Sequence, residues 1–200
     1  MKNDNECAEL FSAFIKGPSG DPIRAAEVFE QEKTEGVSVF GRRKASQEIA
    51  SFCEEEILRL KESWIPFYSS QEEADSAMSG EIWTKGHSIY ACSKMQRYVE
   101  EFFVFTLMYI AVMMQEHNNQ LSHKEAEESR KSYKQLVNST AKEIDSLIQF
   151  RLGQNPRYKD QVLICQSCGA EFVFSAEEQA FFDERGFSYR PTHCRACRNR

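Results

Sequence analysis

Residues 161–200 read QVLICQSCGAEFVFSAEEQAFFDERGFSYRPTHCRACRNR. They carry four cysteines as two Cys-x-x-Cys pairs, Cys165/Cys168 and Cys194/Cys197, with 25 residues between the pairs. Thiolates are soft ligands, and a two-residue gap lets both sulfurs of a pair reach one ion. Two such pairs complete a tetrahedral zinc shell. Catalytic zinc keeps an open coordination position, usually with His or carboxylate among its ligands. Here all four ligands are sulfur, so the spacing predicts one structural Zn2+ and no chemistry at the metal. A redox dithiol or a chance pairing is the plainer reading, and it leaves the second pair and the aromatic pattern between the pairs unexplained. His193 adjoins Cys194 and could replace it as a ligand, but the pair spacing favours Cys194.

The residues around the cysteines describe a small module. A short strand at 162–164 enters the first knuckle, and Gly169 supplies the positive φ that turns backbone amides toward the sulfurs. A return strand at 171–174 closes a hairpin. Ser175 then caps a short helix, with Glu178 at capping-box spacing. Phe181 and Phe182 cover the hairpin, Gly186 ends the helix, and Pro191 precedes the second pair. A chain of fewer than roughly 40 residues buries too little surface to fold alone. Structural zinc supplies about 10–16 kcal/mol of apparent binding energy in small fingers, so the metal is read as folding this module.

The segment resembles the probable zinc-ribbon domain family. The resemblance is carried by Cys165, Cys168, Gly169, Phe172, Phe174, Ser175, Glu178, Gln179, Phe181, Phe182, Arg185, Gly186, Phe187, Pro191, Cys194, Cys197 and Arg198, in that order. It implies zinc held by the four cysteines and no settled activity. Residues 1–160 carry no comparable resemblance.

Working outward, Gly153 and Pro156 give a helix-stop signal. The expected organisation is a helical domain at 1–153, a linker at 154–160 and the four-cysteine domain at 161–200. The first part reads as helices at about 6–16, after Asp21 with Pro22 at the first position, at 43–64 and at 71–79. Two long helices follow at 88–117 and 122–152. Residues 36–41 suggest a brief strand or extended link. Ser122 with Glu125 has capping-box spacing, and Asn118 and Asn119 suit the turn between the long helices, which a short connection makes antiparallel. Residues 102–114 are apolar nearly all round, which marks the central, most buried helix. The fold expected is therefore mainly α: a helical bundle with two long antiparallel helices, followed by a zinc ribbon made of a β-hairpin and a short helix.

Composition narrows the function classes. The 200 residues are 41% hydrophobic, with 15 Phe and a net charge of −6. That charge makes the whole chain a poor generic binder of nucleic acid or membrane surfaces. The acidic excess lies in 1–164, because five Arg and five acidic residues balance from Cys165 onward. Residues 1–10 lack the apolar core of a secretory signal. The thirteen-residue run at 102–114 is shorter than the roughly 20 residues of a membrane span. Seven cysteines fit a reducing, intracellular compartment, with cytoplasm the first expectation and no membrane partner.

No nucleophilic triad order, phosphate loop or dinucleotide fingerprint appears. Cys53 and Cys92 read as small core residues, and His117 and His123 as exposed turn histidines. Glu54–Glu56 and Glu100–Glu101 read as solvated helix faces. The expected function is a non-enzymatic, zinc-stabilised interaction or scaffold protein whose partner is another protein or a second copy of itself. The alternative is a nucleic-acid-associated factor contacting phosphates through Arg190, Arg195 and Arg198, although arginines near a dianionic four-thiolate zinc also simply offset its charge. An enzyme with its active site in the bundle is the third reading, and a deep pocket with a convergent His or carboxylate would be its trace.

Overall fold

The structure is a computed structural model. It describes residues 1–18, 20–78, 93–151, 158–185, 187 and 189–198. The chain divides into two compact units, Met1–Ile144 and Asp145–Arg200, each with its own architecture.

The first unit is all helical. Helix α1 (Asp4–Lys16) starts where the Asn3 side chain accepts from the amides of Asn5 and Glu6, with Glu6 closing a capping box. Helix α2 (Pro22–Thr34) has Asp21 as its cap and proline in its first turn. Residues 36–41, read from sequence as a strand or extended link, form no strand; turns flank residues 37–38. Gly36 takes a φ of 71° there, which a β-branched or bulky residue would resist. Helix α3 (Arg42–Trp64) passes directly into a 3-10 turn, Ile65–Phe67, and α4 (Gln71–Met78) follows. Helix α5 (Lys94–His117) starts later than the sequence pattern suggests. Ser93 is extended and caps Gln96, while Gln96 returns the bond to the Ser93 amide, which sets the first residue of this helix at Lys94. Residues 88–92, with Cys92, His87 and Gly86, lie outside the described residues. Helix α6 (His123–Arg151) opens on the expected box of Ser122 with Glu125.

Helix α5 is the centre of this unit. Val99, Phe103, Leu107, Ile110 and Met113 are buried, and its most extensive packing is against α3. The facing stripe of α3 is Ile49, Cys53, Leu60 and Trp64, at the three- and four-residue spacing of one helix face. Phe103 sits at the hub. Its ring lies 5.5 Å from Trp64 in a near-parallel stack, 5.1 Å from Phe14 and 5.3 Å from Phe67. Each fully buried side chain of this size contributes about 1.5–3 kcal/mol. Among the described residues, α5 alone is long and apolar enough to cross a membrane; 61% of its apolar window is buried inside the protein, as in a core helix.

Two carboxylates expected on solvated faces are buried. Glu56 is 2% exposed beside Arg59 at 2.8 Å. Glu100 is 3% exposed and accepts the Tyr68 hydroxyl at 3.0 Å. Glu100 is tolerated because a buried donor accompanies it; Glu56 has only the half-exposed Arg59 beside it, and burial raises its carboxyl.

In the second unit, β1 (Gln161–Ile164) pairs antiparallel with β2 (Glu171–Phe174), Gln161 facing Phe174 and Ile164 facing Glu171. Alternation along the strands points Phe174 inward and leaves Val162, Ile164 and Val173 exposed. Helix α7 (Ala176–Glu184) is capped by Ser175, whose hydroxyl accepts from the Glu178 amide. Gln179 holds it against the hairpin through the Phe174 carbonyl. A last short helix, α8 (Arg195–Arg198), follows Cys194 and carries Cys197.

Candidate metal centre

Local backbone chemistry builds the site. Strand β1 ends at Ile164 and delivers Cys165 into a tight knuckle. The Gly169 amide donates to the Cys165 carbonyl at 2.9 Å, and the Cys165 amide to Ala170 at 2.9 Å. Gly169 has a φ of 70°, the left-handed geometry expected of it, and nothing lies within 4 Å of where a Cβ would be. Glycine is therefore needed for backbone freedom and not for space. The Gln166 amide donates to the Thr192 carbonyl at 3.0 Å, joining the first knuckle to the approach of the second pair. Cys194 then starts α8, and the amides of Cys197 and Arg198 both donate to its carbonyl at 3.0 Å. One helical turn brings Cys194 and Cys197 to the same side.

The four sulfurs of Cys165, Cys168, Cys194 and Cys197 all lie within 4.8 Å of one another. Cys168 and Cys194 are 3.8 Å apart. A disulfide requires about 2.05 Å, whereas the edge of a tetrahedron with Zn–S bonds of about 2.3 Å is about 3.8 Å. The spacing suits four thiolates around one ion.

Electrostatics points the same way. Backbone amides of Cys194, Cys168 and Ser167 lower the Cys165 thiol to about 6, so it is ready to ionise. Hydrogen bonds with the Cys194 and Cys168 sulfurs push Cys197 up to about 12. A sulfur cluster without a cation must keep protons on some of its members, and a bound divalent ion removes that need. The residues fit one structural zinc ion, coordinated by sulfur at every position.

His193 stands outside the ligand set and contacts the Thr192 hydroxyl at 2.9 Å. Arg190 and Arg195 are exposed. Arg198 lies 3.9 Å from Glu178 and is partly neutralised. The thiols of Cys7 and Cys53 are buried, and burial pushes them up to about 11 and about 12. They behave as small apolar residues.

The helical unit holds a second polar cluster that sequence reasoning missed. His117, expected to be exposed, is 11% exposed and hydrogen-bonds Glu30 at 2.8 Å. Arg130 of α6 forks onto both Glu30 oxygens at 3.1 and 2.8 Å and reaches Glu116 at 3.3 Å. Lys134 and the Tyr109 hydroxyl both meet Glu27. A shallow cavity of about 370 Å3 opens beside these groups. Its charges are matched among themselves, which makes the cluster an ionic clamp of α6 on α2 and α5. The partners lie far apart in sequence, so no local signal could have revealed it.

No curated protein and no solved structure matches the chain. Residues 159–200 match a family described as a probable treble clef domain, and with its four clustered cysteines this C-terminal segment is a treble clef zinc-binding domain.

Proposed function

We propose that this chain is a non-enzymatic interaction or scaffold protein working in a reducing compartment, with a zinc-folded module as one of its contact surfaces. The observation that carries this reading is the closed sulfur shell. All four cluster ligands are protein thiols, so no coordination position is left for a substrate or an activated water. The hairpin supports it, because its outer face presents Val162, Ile164 and Val173 to solvent when a module this small needs every apolar contact it can make. Protein purified without chelators should carry close to one zinc per chain. Partner capture should then be lost when Ile164 is changed to Lys while zinc content is kept. Folded protein without metal, or a turnover that depends on the zinc, would overturn this reading.

A second reading draws on the other side of the module. Phe187 and Tyr189 are exposed, with ring centroids 5.6 Å apart, and Arg190 follows them directly. Stacked rings beside a cation suit single-stranded nucleic acid. Binding should weaken with salt and on changing Arg190 and Arg195 to Ala; binding indifferent to both would exclude this reading.

A further inference from the structure

The large apolar side chains that the helical unit leaves in water are unevenly spread. Ile15, Val28, Val39 and Phe40 fall between the last turn of α1 and the start of α3, and Phe40 is 98% exposed. Elsewhere among the described residues of this unit, Leu58 and Leu136 are the exposed ones. The same stretch breaks a second local rule. Helix α3 opens on Arg42, Arg43 and Lys44, with no acidic residue in its first turn and no side-chain cap. Cations at the positive end of a helix dipole are disfavoured. Local rules broken together in one place mark a surface selected for something other than the stability of the lone chain.

Helix α2 supplies the pattern that says what covers this surface. Arg24, Val28 and Glu32 are exposed at four-residue steps on one face. Neither Arg24 nor Glu32 is ion-paired within the described residues. The order cation, apolar, anion is complementary to its own reverse. Two α2 helices laid antiparallel with Val28 against Val28 bring each Arg24 to the Glu32 of the second copy, twice over. A two-fold axis generates this contact, and the helix dipoles then run opposed, which is favourable.

The ends of α2 match as well. Beyond its C-terminus stands the Val39–Phe40 tip. At its N-terminus lies an apolar groove of about 330 Å3, lined by Ile15, Ile23, Phe102, Val137 and Ala141 among others. An axis at Val28 carries each tip to the end of α2 where the groove of the second copy opens. Asp21 and Glu35 approach as like charges at each end, and Arg42, Arg43 and Lys44 follow closely enough in the chain to offset them.

We propose that a second copy of this chain covers this face, in a two-fold dimer held by reciprocal Arg24–Glu32 pairs and by the Phe40 tips. This names a partner for the helical part of the scaffold reading and rests on that reading.

The test is sedimentation velocity with native mass spectrometry on the full zinc-loaded chain over a concentration series. A reversible dimer is expected. Arg24→Glu and Glu32→Arg should each weaken association about tenfold or more, because each sets like charges opposite one another. An equimolar mixture of these two variants should form a heterodimer, since every pair is then matched. Phe40→Ala should weaken association about tenfold. All three positions are exposed, so an unchanged far-ultraviolet circular dichroism spectrum keeps the result interpretable. A monomer at the highest soluble concentration overturns the proposal, and so does a dimer indifferent to the charge exchanges. A monomer that still holds one zinc and shows no turnover removes the dimer and leaves the scaffold reading in place.

Discussion

Removing zinc should unfold the treble clef and leave the helical unit standing. Among the described residues of the module, Phe174 is the one large aromatic or aliphatic side chain buried below a tenth of its surface; Val162, Ile164, Val173, Phe181, Phe187 and Tyr189 are all exposed. A module this short with so little buried apolar surface lacks the core to fold alone, and the about 10–16 kcal/mol of apparent binding energy that structural zinc supplies in small fingers is folding free energy. Raising free zinc from the dissociation constant to a thousandfold above it should add about 4 kcal/mol to module stability. The assay is a nuclear magnetic resonance titration of chelated protein, following the amides of Val162–Ile164 and Phe172. These should be collapsed without metal and dispersed with it. The described helix of the module spans nine residues in α7 and four in α8, so circular dichroism at 222 nm should change little. Hairpin amides that stay dispersed and slow to exchange in fully chelated protein would refute the reasoning.

Gly169→Ala should lower zinc affinity about tenfold, because its φ of 70° costs an L-residue about 1–2 kcal/mol; competition with a chromophoric chelator reads it. Phe103→Ala should destabilise the helical unit by about 3–5 kcal/mol in urea denaturation, since it empties the hub between Phe14, Trp64 and Phe67. Burial pushes the Glu30 carboxyl up, but the His117 hydrogen bond and Arg130 outweigh it and hold the group below its ordinary range. A folded-state value below the unfolded one means that its stabilisation is present above about pH 4.3 and is lost as pH falls through the lower folded value. Glu30→Gln should flatten that acid limb of the denaturation curve. Glu56 is the opposite case, its carboxyl raised by burial despite Arg59. It carries a cost when ionised, so Glu56→Gln should raise the melting temperature at pH 7 and have little effect at pH 4.

The parts legible in the sequence are those whose physics closes within a few residues. A Cys-x-x-Cys gap, a cap accepting from the amide three residues on at Asp21, Ser122 or Ser175, and a glycine that must turn left-handed at 169 are each decided locally. Even the late start of α5 was present as Ser93 with Gln96. The helix expected from residue 88 begins five positions before that box. Among the misread residues, Glu100 and His117 owe their placement to partners far away in the chain, whereas Glu56 is buried with its ion-pair partner only three positions on. Tyr68 reaches Glu100 across 32 positions, and Glu30 reaches His117 across 87. A charged residue on a helix looks solvated until the fold supplies its donor, and periodicity holds no information about which donor arrives. The same reasoning applies one level up. Whether Phe40 and Val28 are exposed is settled by what the described residues leave uncovered, and the covering group we propose, a second α2, is as invisible to periodicity as Tyr68 was for Glu100. What exposes that contact is the charge order about Val28, a pattern within one helix that is matched only by its own reverse.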